Sequence, residues 1–148
     1  MSTPTPTQTM KHFLVGVDGS TQSHQAFQYA LTVINPAIAE LSLVGAVHSP
    51  MIVMADPEER GALIQAEQAR LTEVVEGMRE DAVKMGIQTH ALVTVGEPLG
   101  VLLNYAHRER VHHIVVGHRS KSPLAQLMIG SVAKGIVDGA PCTVTVIR

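Results

Sequence analysis

The chain has 148 residues and a net charge of -2, with 45% hydrophobic residues but only 3% aromatic ones. That length suits one domain with a full core and is too short for two ordinary ones. The charge gives no basic field to attract nucleic acid, and two Phe, two Tyr and no Trp leave few stacking platforms. A single cysteine, Cys142, excludes an internal disulfide, and no charged-then-apolar leader or long apolar run is present. The expected compartment is the cytoplasm, with neither secretion nor membrane insertion. With so few aromatics the core falls to Val, Leu, Ile, Ala and Met, as is common in α/β proteins.

Residues 1–10 are Ser, Thr and Pro with little to bury, which predicts a flexible tail ahead of a domain over residues 11–148. Phe13 to Val17 reads as a buried strand stopped by the turn Asp18-Gly19-Ser20, with Ser20 placed to cap a helix. From Thr21 to about Ile34, Ala26, Phe27, Ala30, Leu31 and Ile34 recur at helical spacing until Asn35-Pro36. Leu41 to Val47 is the second strand, and the apolar stretch Met51 to Met54 is expected to be a covering loop before Asp56-Pro57 opens a long amphipathic helix. That helix places Leu63, Ala66, Leu71, Val74, Val75, Met78, Ala82 and Met85 on one side and ends at Gly86. Ile87 to Val95 is the third strand, and Pro98 to about Arg110 the third helix, with Leu99, Leu102, Leu103 and Ala106 facing inward.

The fourth strand, His113 to Val116, leads into the segment Gly117 to Ser131, read G-H-R-S-K-S-P-L-A-Q-L-M-I-G-S, and then into a short helix ending near Asp138. A strand that ends in glycine, a basic segment and Gly-Ser at a helix start together make a cradle for phosphate, because amides at a helix N-terminus lack intrahelical partners. Gly139-Ala140-Pro141 breaks the helix, and Cys142 to Ile147 closes the chain as a fifth strand with clean alternation. Strands alternating with helices predict a doubly wound five-stranded parallel α/β sheet with right-handed crossovers and helices on both faces. Ligands of such sheets bind beyond the carboxyl ends of the strands where the strand order reverses. With the first strand beside the fourth, Asp18 and Gly117 emerge together at that crevice.

The runs V-G-V-D-G-S near the start, V-V-G-x-R-x-K-S-P-L and I-G-S-V-A resemble the universal stress protein family over about Lys11 to Arg148. The family's nucleotide signature is a glycine, two residues, a second glycine, nine residues, then Gly-Ser or Gly-Thr. Here Gly117 and Gly130-Ser131 match, and Ser120 stands where the second glycine belongs. The resemblance implies strand order 3-2-1-4-5, the adenine nucleotide alpha hydrolase-like arrangement, and an ATP-binding branch. It implies that Asp18, with Val17 beside it, meets the adenosine portion and that the Ala46 backbone lies against adenine. Val116 and Gly117 would sit beside ribose and phosphates, and Ser120, Gly130, Ser131 and Val132 would form the phosphate cradle, with charge added by Arg119 and Lys121. It also implies a homodimer in which residues 142–147 of two chains pair antiparallel, which suits a bare apolar sheet edge.

Each residue has a plainer reading. Asp18 serves as a turn acid capping its own helix, Gly117 ends a strand, and Gly130-Ser131 starts a helix without a ligand. If the position of Ser120 requires a positive φ, serine costs about 1 kcal/mol there and narrows the site. No P-loop, zinc-protease or serine-hydrolase motif occurs, so the sequence supports binding before catalysis. The expected function is a nucleotide-dependent regulator in stress response that binds ATP and an unidentified protein partner. A slow ATP hydrolase and a homodimer without nucleotide are the alternatives. A magnesium or manganese ion bridging ATP phosphates is compatible, since such ions keep water and substrate oxygens as ligands. The histidines, including His107, His112, His113 and His118, lack a recognised ligand spacing and are expected on the surface or in loops. Cys142 reads as a small core residue.

Overall fold

The computed structural model describes residues 10–118 and 130–148. The expected tail therefore lies, apart from Met10, outside the described residues. In chain order the elements are β1 (Lys11–Val17), α1 (Thr21–Val33), β2 (Ala39–Val47), α2 (Pro50–Met54), α3 (Pro57–Lys84), β3 (Gln88–Val95), α4 (Pro98–Arg108), β4 (His113–Gly117), α5 (Ser131–Gly139) and β5 (Thr143–Ile147). The sheet order is β3-β2-β1-β4-β5, and every neighbouring pair is parallel. This is the doubly wound arrangement expected from the alternating strands and helices.

Side chains of the central strands alternate between two cores because successive residues point to opposite faces. Val15, Leu43 and Val115 face Phe27 and Ala30 of α1 and Leu71, Val75 and Met78 of α3. Leu14, Val44, Ile114 and Val116 face Leu102 and Ala106 of α4 and Ala133 and Ile136 of α5. Burial on both sides explains why these strands read as continuous apolar runs. β5, at the edge, keeps Val144 to Ile147 all half-buried, so its alternating sequence does not produce an alternation of burial.

Two segments differ from the expectation. Residues Pro50–Met54 form a helix and not a loop: Ser49 accepts a hydrogen bond from the Ile52 amide at 3.2 Å, and Pro50 sits in the first turn, where its missing N–H costs nothing. Its side chains cover little, since Met51 and Met54 are 72% and 84% exposed. The apolar stripe of α3 is also shorter than its sequence suggests. Leu71, Val75, Met78 and Ala82 are buried, whereas Ala66 and Met85 are exposed. The first half of α3 contributes no buried side chain. Among the described residues no helix is long and apolar enough to cross a membrane.

At the start of the sheet a polar chain is sealed into the second core. His12 Nε2 lies 2.6 Å from Ser42 Oγ, which in turn lies 2.7 Å from the Tyr105 hydroxyl. The other ring nitrogen faces the Glu109 carbonyl at 3.3 Å and the Glu40 carboxylate at 3.6 Å. His12 and Ser42 are both buried, so each polar atom depends on the next for its hydrogen bond. Ser42→Ala strands both the His12 ring and the Tyr105 hydroxyl, and urea denaturation is expected to show a loss of about 1–3 kcal/mol.

Candidate functional site

β1 and β4 end at the same rim of the sheet. Beyond β1, the Asp18 carboxylate accepts from the Ser20 amide at 2.8 Å, Gly19 takes a positive φ of 83°, and Ser20 caps α1 by accepting from Ser23 N at 3.1 Å. The helix cap is therefore Ser20, while Asp18 holds the turn with one oxygen. Beyond β4, a Cβ on Gly117 would lie 2.5 Å from the Gln22 backbone carbon. Only glycine lets the first turn of α1 come this close to the strand end.

These two turns border a cavity of about 770 Å³, within the range of small-molecule sites. Val17, Asp18, Ala46, Val116, Gly117, Gly130, Ser131 and Val132 all line it. Residues separated by more than a hundred positions thus share one wall. Arg119, Ser120 and Lys121 lie outside the described residues. The lining also includes His48, Glu67, Arg70 and Glu97, which were not singled out from the sequence. Glu97 carried a usable signal, since an acid directly before Pro98 sits where a helix cap is needed.

Among the described residues, four helices start at this cavity. Ser20, Ser49 and Glu97 cap α1, α2 and α4 with their own side chains, Glu97 accepting from Leu99 N and Gly100 N at 3.1 and 3.0 Å. α5 starts at Gly130, which has no side chain to offer its first turn. The amides of that turn carry the positive end of the helix dipole. This arrangement suits an anion at the Ser131 and Val132 amides, with the Asp18 carboxylate of the same lining suited to hydroxyl donors.

Arg70 of α3 reaches the rim of the same cavity. Its Nε donates to Glu67 Oε2 at 3.0 Å, and Nη2 donates to the other Glu67 oxygen and, at 3.4 Å, to the Asp18 carbonyl. The hydrogen bond from Arg70 holds the Glu67 carboxyl below its usual range, and the bond to Glu67 raises the Arg70 guanidinium further. In sequence the pair reads as a solvated helix face.

Two histidines are buried: His12, inside β1 and so contrary to the surface or loop placement expected, and His118, which does sit in a loop, just past β4. His113, within β4, is half-buried, bonded to Thr145 Oγ1 at 2.7 Å and stacked on Phe13. Burial pushes the His113 ring down and the Cys142 thiol up, which disfavours the reactive thiolate. Among the described residues no group of three or more His, Cys, Asp or Glu side chains could hold a metal ion.

A carboxylate whose pKa is lowered by folding contributes stability above its unfolded pKa, about 4.3 for Glu, and loses that contribution as pH falls through the folded value. Arg70→Met is expected to return the Glu67 carboxyl to the ordinary range, read from NMR titration of its carboxyl carbon.

The universal stress protein family model matches residues 9–148. Universal stress protein YxiE of Bacillus subtilis is 29% identical over 143 residues, covering 91% of this chain and 97% of that protein. Universal stress protein UspA from Lactobacillus plantarum superposes with a TM-score of 0.78 at 23% identity, over 95% of this chain and 99% of that one. A universal stress protein family protein from Arabidopsis thaliana, solved with AMP bound, superposes with a TM-score of 0.66 at 22% identity, over 93% and 90% of the two chains. The superpositions show the shared fold, and the family match along nearly the whole sequence places this chain in the universal stress protein family.

Proposed function

We propose that this protein binds an adenine nucleotide, with ATP as the leading ligand, and acts as a nucleotide-dependent regulator. One observation carries the reading. The Asp18 carboxylate and the glycine-started N-terminus of α5 open onto the same cavity at the reversal point of the sheet. The AMP bound to the Arabidopsis relative supports the ligand class. In this reading Asp18 accepts from ribose hydroxyls, Ala46 and Val17 border the base, and Val116 and Gly117 sit beside the sugar and phosphates. Ser131 and Val132 donate their amides to phosphate oxygens, with Ser120 in the same cradle by the family signature and Arg119 and Lys121 adding charge there. A bridging divalent ion would neutralise phosphate charge and keep water among its ligands. Residues 11–148 act as one domain, located in the cytoplasm.

Calorimetric titration with ATP is expected to show binding to the wild-type chain. Asp18→Ala should weaken it about 10- to 100-fold, the loss of a hydrogen bond to a charged group. No heat with ATP or AMP, and no adenine nucleotide in mass spectra of the purified protein, would favour the nucleotide-free alternative. Phosphate release from ATP that disappears in Asp18→Ala would favour the slow hydrolase.

The proposal extends to assembly. β5 is an edge strand with its apolar residues half-exposed, and antiparallel pairing of two such edges would satisfy their free backbone groups. Sedimentation equilibrium is expected to return twice the 15.8 kDa chain mass; a monomer mass overturns this part.

A further inference from the structure

His118 follows β4, and the nucleotide reading makes no use of its side chain. Its backbone N–H donates to the Ile147 carbonyl at 2.6 Å, which ties it to the end of β5, and the residue is only 7% exposed. Nδ1 lies 2.8 Å from the Gly130 nitrogen and accepts that amide's proton. A ring nitrogen that accepts carries no proton, so the neutral ring holds its hydrogen on Nε2. That second nitrogen is buried with no hydrogen-bond partner among the described residues. A buried donor left unmatched destabilises the fold, so the use of this ring lies at Nδ1.

Gly130 is the N-cap of α5, with φ -60° and ψ 155°. A cap residue in an extended conformation sets the direction in which the first-turn amides point. With no side chain of its own at that position, the cap takes its bearing from what grips Gly130, and the His118 ring does so from the end of the sheet.

We propose that His118 is a positioning residue: its Nδ1 latches the Gly130 amide and thereby fixes the start of α5 in the orientation that receives the phosphate groups of the nucleotide. The ligand half of this statement rests on the nucleotide reading above; the latch itself does not. Asparagine places its side-chain oxygen close to the position of Nδ1, whereas glutamine reaches the position of Nε2. His118→Asn therefore keeps the latch, while His118→Gln and His118→Ala lose it.

The test uses the full chain and three measurements on each variant: calorimetric titration with ATP, the thermal midpoint, and the amide signal of Gly130 in ¹⁵N–¹H spectra. Asn is expected to bind within about threefold of wild type, and Gln and Ala at least about tenfold more weakly. The Gly130 signal should stay near its wild-type position in Asn and move upfield in Gln and Ala, as an amide does when it loses its acceptor. Gln and Ala variants that bind as tightly as wild type would overturn the positioning role, and an unmoved Gly130 signal would overturn the latch. Should Ala fail to fold, the contrast between Asn and Gln decides at matched thermal midpoints. If wild type binds no ATP, the nucleotide reading fails and with it the positioning role, while the Gly130 signal still decides the latch.

Discussion

Parallel pairing of β1 with β4 is the constraint on which the rest of the molecule depends. Phe13, Leu14 and Val15 lie opposite His113, Ile114 and Val115, although a hundred residues separate the two strands. That register brings the turn after Val17 and the strand end at Gly117 to one rim, and the close approach of Gln22 to Gly117 seals them together. No local interaction could bring these residues together. It requires the whole series of crossovers to run in one hand, which places α1 and α3 on one face and α4 and α5 on the other.

The two ends of the sheet divide the labour. At the start of the strands, the His12–Ser42–Tyr105 chain is enclosed and internally satisfied, and its geometry rewards packing. Glu40 lies between His12 and His90, 3.6 and 3.3 Å away, so its carboxylate also has near neighbours within the fold. The far end is built the other way: it is open, contains three carboxylates and a guanidinium among the described residues, and ends in a helix start without a side-chain cap. Polar groups there line a cavity while also holding their own turns: Asp18 accepts from the Ser20 amide, Glu97 from the Leu99 and Gly100 amides, and Glu67 pairs with Arg70.

The sequence made the strands legible because both faces of the sheet are buried, so Phe13 to Val17 and Ile114 to Val116 had to be free of polar side chains. Ser20 was legible as a cap because its role is local, three residues from the amide it binds. α2 was not, since five residues are too few to display a helical period, although Ser49-Pro50 offered the signal of a helix start. Arg70 and Glu67 repeat at the spacing of an ordinary exposed pair, and only the path of α3 across the sheet brings them to the cavity. His12 and His118 look like isolated polar residues in the chain. Their partners Ser42 and Gly130 sit 30 and 12 positions away, beyond the reach of any periodic pattern. The basic segment at 119–121 was legible in composition alone, and the described residues add nothing to it.

Of the helices that begin at the cavity among the described residues, α5 alone is begun by a residue with no side chain. An acceptor arriving from solution would supply what the chain omits there, and it would favour the folded form over the unfolded one by mass action. The endurance of this protein under heat would then depend on the solutes around it, so that a shortage of the right anion would register as a softer fold.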